Sequence, residues 1–246
     1  MAIPNEALVK EAASFKRDAS REFDRVVAAL IALVWAKGKP TSDFLFENDP
    51  ELDAEANAIL RDFSDSLADK AKKRAESVIR AYLEGDYPDA WDEAAGEGED
   101  SILFRFDMAG SHLKELMEIW IALAAVNQIG KSELRVMISR YLNNPYASPL
   151  WNGIPKDALK WGRGYRKNIL EQIAVIGQSG IIGAARYAEW MKEKEDGAVY
   201  YIRRRGSNYD CPDCDSLCGY PIPIEEPFEY LHANCMCRAE YFYEPL

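Results

Sequence analysis

All five cysteines of this 246-residue chain, Cys211, Cys214, Cys218, Cys235 and Cys237, lie in its last 36 residues. The pattern is Cys211-Pro-Asp-Cys214, seventeen further residues, then His232-Ala-Asn-Cys235-Met-Cys237. Two thiols separated by two residues can chelate one ion from a tight turn, and a second cluster can complete the shell across a hairpin. Zinc takes four nitrogen or sulfur ligands in a tetrahedron, and structural sites fill all four positions. Six candidates therefore compete for four places. The spacing points to Cys211, Cys214 and Cys235, with His232 or Cys237 as the fourth ligand. Cys237 lies two residues beyond Cys235, so in an extended segment both face the same side. Cys218 is the expected bystander. A disulfide framework would come with a secretory leader, and MAIPNEALVKEA has no apolar core of that kind. The plainer alternative is a cluster of reduced thiols.

The pattern does not suggest catalytic zinc. Zinc deaminases pair His-x-Glu with Pro-Cys-x-x-Cys, whereas here Asp210 precedes Cys211 and His112 is followed by Leu113 and Lys114. His-Glu-x-x-His is absent, and the chain has two histidines. Gly177-Gln178-Ser179-Gly180 has the serine of a hydrolase elbow, but Ile181 stands where that elbow needs glycine. There is no phosphate-binding glycine loop. We therefore expect no catalytic residue, no organic cofactor site and no enzymatic activity. One basic stretch stands out: Lys156, Lys160, Arg163, Arg166 and Lys167, interleaved with Trp161 and Tyr165. Arg203-Arg204-Arg205 precedes the cysteines. Such groups suit phosphate backbones or an acidic protein partner; an ordinary solvated helix face would read the same way. A formal net charge of -11 argues against a dedicated DNA-binding protein and leaves at most a weak DNA contact through the 156–167 stretch.

The elements that must carry these residues are mostly helical. Phe15, Phe23, Val26, Val27, Leu30, Ile31 and Val34 form one apolar face that stops at Lys37-Gly38-Lys39-Pro40. Ile59, Phe63, Leu67, Ala71, Ala75, Ile79, Tyr82 and Leu83 form a second, ending near Gly85. Residues 84–100 hold eight acidic and no basic residues and read as an exposed acidic loop. A third helix is expected over 102–129, and a shorter one after Ser132 as its cap, to about Leu142. The turn-rich segment 143–155 precedes a long helical region over 157–195. There Gly177, Gly180 and Gly183 either admit a close neighbour or break the helix. Ala198–Ile202 and Ala239–Tyr243 are β-type runs. The fold class is mainly α: a multi-helix body over 1–197 and a small β-containing zinc module over 198–246. The longest apolar run, 26–36, is too short to span a bilayer, so a soluble protein made in a cytoplasm and without membrane contact is expected.

The tail carries more than metal spacing. It reads Ser207-Asn-Tyr-Asp210, Cys211-Pro-Asp-Cys214, Leu217, Gly219, Pro221-Ile-Pro-Ile, Glu226-Pro-Phe228 and Leu231-His232-Ala-Asn-Cys235-Met-Cys237-Arg238. This block resembles the C-terminal signature of the phage Mu F-like and SPP1-type minor head (head morphogenesis) proteins. In that family Cys-Pro-x-Cys is followed by glycine, a proline-containing turn and a closing His-Pro-x-Cys-x-Cys; Ala233 replaces the proline. The helical region from Lys167 onward, leading into the block, is also similar. The resemblance implies a structural role in head morphogenesis at the portal vertex and procapsid. It implies portal protein or the inner capsid surface as partner, and a place in the virion after assembly in the host cytoplasm. A homo-oligomer is compatible with it. Outside that resemblance, a free-standing zinc adaptor for protein or nucleic acid, or a toxin-like enzyme on nucleic acid, would account for the same ligands.

Overall fold

The computed structural model describes residues 2–98, 101–143, 156–206, 212–228 and 235–245; the side chains at 137, 139–143, 156–168 and 213 lie outside that description. The fold is mainly α, with a small antiparallel sheet near the C-terminus. The helices are α1 (Asn5–Lys37), α2 (Pro50–Tyr82), α3 (Ala90–Ala95), α4 (Ile102–Val126), α5 (Lys131–Asn143), α6 (Lys156–Glu195) and α7 (Pro212–Leu217). Strand β1 (Tyr200–Arg204) is central between β2 (Pro221–Pro223) and β3 (Arg238–Phe242), and both pairings are antiparallel. Among the described residues no helix is long and apolar enough to cross a membrane.

The chain divides into two compact units, each assembled from separate segments. One comprises Arg17–Leu67 and Arg105–Ile173. The stripe expected for the first helix is buried here from Phe23 to Val34, together with Leu60, Phe63 and Leu67 of α2 and Leu113, Met117, Trp120 and Ile121 of α4. Phe46 is fully buried; its backbone N–H donates to Glu118 at 2.9 Å, and the Lys114 ammonium lies 5.8 Å from its ring centroid. Lys114 also pairs with Asp53.

The other unit comprises Met1–Lys16, Ala68–Phe104 and Ala174–Leu246, and it holds the cysteines. Its apolar interior draws on Leu8 and Phe15 of α1, Ala71, Ala75 and Val78 of α2, and Ile181, Ile182 and Ala185 of α6. The glycines of α6 do not break that helix, which runs unbroken to Glu195. A β-carbon on Gly177 would lie 2.0 Å from the Phe15 ring, and one on Gly180 would lie 2.4 Å from Ile102 and 2.9 Å from Trp91. These two glycines let bulky side chains reach the helix backbone, so close approach is their role.

Two expectations need correction. The acidic stretch after α2 is not all loop. It contains α3, whose Ala90 and Trp91 are buried, and Tyr87 is buried too. Three apolar residues are enough to dock a short turn despite acidic neighbours, because burying an aromatic ring outweighs an unfavourable local composition. Helix α5 begins at Lys131, with Leu134 N–H donating to the Gly130 carbonyl at 2.9 Å, so Ser132 sits inside the first turn and does not cap it. The turn-rich segment lies, from residue 144, outside the described residues.

Candidate metal centre

Helix α6 provides the floor of the site. Its last turns present Tyr187, Trp190 and Met191 to a core formed by Ala198, Tyr201, Cys214, Ile224, Phe228, Cys235, Cys237 and Ala239. Gly197, at φ 92°, turns the chain out of α6 into β1. Along β1 the side chains alternate, so Tyr201 and Arg203 face inward and are buried. The Trp190 indole N–H donates to the Ile224 carbonyl at 3.0 Å, and the Tyr201 hydroxyl to the Pro227 carbonyl at 3.2 Å. Both bonds pin the turn that follows β2.

Cys214 is presented by α7, a six-residue helix that starts at Pro212, where a missing N–H costs nothing. Cys218 N–H closes back on the Cys214 carbonyl at 2.9 Å, and Gly219, at φ 88°, ends the turn and donates to the Arg203 carbonyl at 3.1 Å. Cys235 and Cys237 come from the segment entering β3. Both are buried, as the same-side reading of their spacing requires. Sγ of Cys214 lies 3.7 Å from Sγ of Cys235 and 3.4 Å from Sγ of Cys237, and all three sulfurs fall within 4.8 Å of one another. No disulfide joins Cys214, Cys218, Cys235 and Cys237. Tetrahedral ligands at a Zn–S distance of about 2.3 Å stand about 3.8 Å apart, so the spacing of these thiols suits a single ion. A buried group of three cysteines that could hold a metal is thus present.

Cys211 and His232, the remaining expected ligands, lie outside the described residues. Cys218 sits on the rim, half-buried and hydrogen-bonded to Cys237. Burial first, and then the neighbouring Cys237, push its thiol up to about 11, while the charges of Arg203 and Arg205 pull the other way. Burial also raises the Cys235 thiol. The Cys218 and Cys235 thiols thus resist ionisation; a cation beside them would reverse that.

Two residues not expected at the metal centre shape it, Gly206, which the sequence reading did not single out, and Arg203, which it read only as part of a basic run. Gly206 crosses Met236 so closely that a β-carbon there would stand 1.6 Å from the Met236 carbonyl oxygen. The same oxygen accepts from the Asn5 side-chain amide at 3.5 Å. Asn5 in turn accepts from Arg186, a buried residue of α6 that also donates to the Ile3 carbonyl at 3.0 Å and to Glu189 at 2.6 Å. Burial raises the Glu189 carboxyl against the pull of Arg186. The N-terminal segment thereby braces the Cys235–Cys237 turn. The second residue is Arg203, buried with its guanidinium carbon 4.1 Å from the Phe228 ring centroid.

The basic tripeptide before the knuckle is committed locally. Arg204 pairs with Glu240 at 2.6 Å and Arg205 with Asp215 at 2.5 Å. The 156–167 patch is carried on α6, and its side chains lie outside the described residues. Ser179 donates to the Val175 carbonyl at 2.8 Å, the ordinary back-bond of a helix serine. Comparisons of the chain with family models, curated proteins and solved structures returned no match.

Proposed function

We propose that the chain is a minor head protein of a tailed phage, acting structurally in head morphogenesis at the portal and procapsid, with one structural zinc in its C-terminal knuckle. The observation that carries this reading is the convergence of Cys214, Cys235 and Cys237 inside the block that resembles the family's signature. A zinc held by these three, with Cys211 or His232 as fourth ligand, would have every position filled. Its contribution would be folding energy for a module too small to build a large core. No enzymatic role is invoked, because the catalytic motifs considered in the sequence fail on spacing or residue type. The partner is the portal or the inner capsid surface, with the 156–167 patch as the docking element on an acidic rim. The protein would then reside in the virion after assembly in the host cytoplasm.

Two measurements test the reading. Metal analysis of purified protein should find about one zinc per chain, and Cys214→Ser or Cys235→Ser should lose it while helical circular dichroism persists. A well-folded, metal-free knuckle in reducing buffer overturns the zinc. Pull-down against portal and capsid proteins from the same genome should recover a complex that charge reversal at Arg163, Arg166 and Lys167 weakens. Association with no virion component, or a nuclease activity abolished by changing one acidic residue or His112, overturns the head-protein role.

A further inference from the structure

We propose that Arg203 is the counter-charge of the thiolate centre, a buried guanidinium held beside the sulfurs so that the loaded site is not left as an uncompensated anion. The proposal rests on the metal reading above. A divalent ion with three thiolates and a neutral imidazole carries one net negative charge, and with four thiolates it carries two. Such a charge in an apolar core is costly unless an opposite charge lies close by.

The geometry supplies that charge at the right place. Arg203 is paired in register with Ala239, which follows Cys237 by two residues. With strand alternation, the side chains of Arg203 and Ala239 lie on the buried side of the sheet, and Cys237, just before β3, is buried too. The backbone of Arg203 bridges to Cys218, and its carbonyl accepts from Gly219. The guanidinium packs on Phe228, itself a member of the cysteine core. Of the three consecutive arginines, Arg204 and Arg205 are directed to surface carboxylates, and Arg203 is the one turned inward. A guanidinium suits this position because it stays charged when buried and its flat face stacks on an aromatic ring.

Cobalt(II) binding to the full chain in reducing buffer, followed by its thiolate charge-transfer absorption against a competing chelator across a pH series, tests the proposal. Arg203→Gln removes the charge at similar volume; Arg203→Lys keeps it; Phe228→Leu removes the stacking face and leaves the charge. Arg203→Gln should weaken binding by about 10–100-fold, the usual effect of losing an outer partner of a metal site. It should also move the pH of metal loss upward, because thiolates without the nearby cation hold protons more tightly. Arg203→Lys and Phe228→Leu should stay within a few-fold of the unmodified protein, with its pH profile. Equal losses in Arg203→Gln and Arg203→Lys, or a loss in Phe228→Leu as large as in Arg203→Gln, would mean that packing is at work and would overturn the counter-charge. If Arg203→Gln does not fold, Arg203→Lys decides: a tenfold loss there overturns the proposal. Failure of the unmodified chain to take cobalt at all would sink the metal reading first, and this proposal with it.

Discussion

Gly206→Ala is the sharpest perturbation of the knuckle, because the structure sets its magnitude. A β-carbon at residue 206 would stand 1.6 Å from the Met236 carbonyl oxygen, 2.3 Å from the carbonyl carbon and 2.9 Å from the Met236 Cβ. Non-bonded carbon and oxygen settle at about 3.3 Å, so the two segments would have to part by about 1.7 Å. Two of the three nearest atoms are backbone, so no rotamer change relieves the clash. Met236 also lies between Cys235 and Cys237, and its carbonyl accepts from Asn5, so retreat carries both thiols and strains that bond. Metal–ligand distances tolerate about 0.2 Å, far less than the displacement demanded. The alanine variant should therefore lose at least the 10–100-fold in metal affinity typical of outer-shell changes, roughly. It should also be destabilised by about 1–3 kcal/mol, the usual cost of overpacking. Cobalt titration with a competing chelator reads the first, and thermal unfolding of the metal-free protein reads the second. Wild-type cobalt affinity together with an unchanged unfolding midpoint would refute the crossing and the role assigned to it.

Two further predictions follow from the unit that holds the cysteines. Gly177→Ala places a methyl 2.0 Å from the Phe15 ring; we expect a loss of about 1–3 kcal/mol in chemical denaturation, and an unchanged midpoint would show that the ring has room to move. The Tyr243 hydroxyl donates to Glu193, which together with burial raises the phenol to about 12 from its ordinary 10. A folded-state value above the unfolded one means that the stabilisation is whole below pH 10 and is lost as pH climbs towards 12. The difference in urea midpoint between the parent and Tyr243→Phe should shrink over that window, and a constant difference would exclude the linkage.

The helices were legible because their signal is local. The Phe23–Val34 stripe and the Phe63–Ile79 stripe repeat at the helical period, and any chain burying them against one neighbour must form those helices. Gly177 and Gly180 illustrate the limit. Their spacing allowed either a break or a close approach, and what selects the second is Phe15 and Trp91, brought in from distant segments. Trp91 itself was hidden inside an acidic stretch, where composition masks the few side chains that dock.

The cysteine spacing determined by itself that a metal-competent cluster could form, since thiols two residues apart share a turn or one side of a strand. That Cys235 and Cys237 both reach Cys214 depends on α7 and the β3 entry meeting over Trp190 and Tyr201, a contact spanning many residues that no local pattern encodes. The fate of the three arginines was likewise a tertiary matter. In sequence they are one basic run, yet strand alternation together with Glu240 and Asp215 sends two to the surface and buries the third against Phe228. Gly206 carries no sequence mark at all, because what crowds it is the backbone of a segment thirty residues away. Residue types and their spacing decide which ligands a chain can offer; the crossing of backbones decides which of them meet.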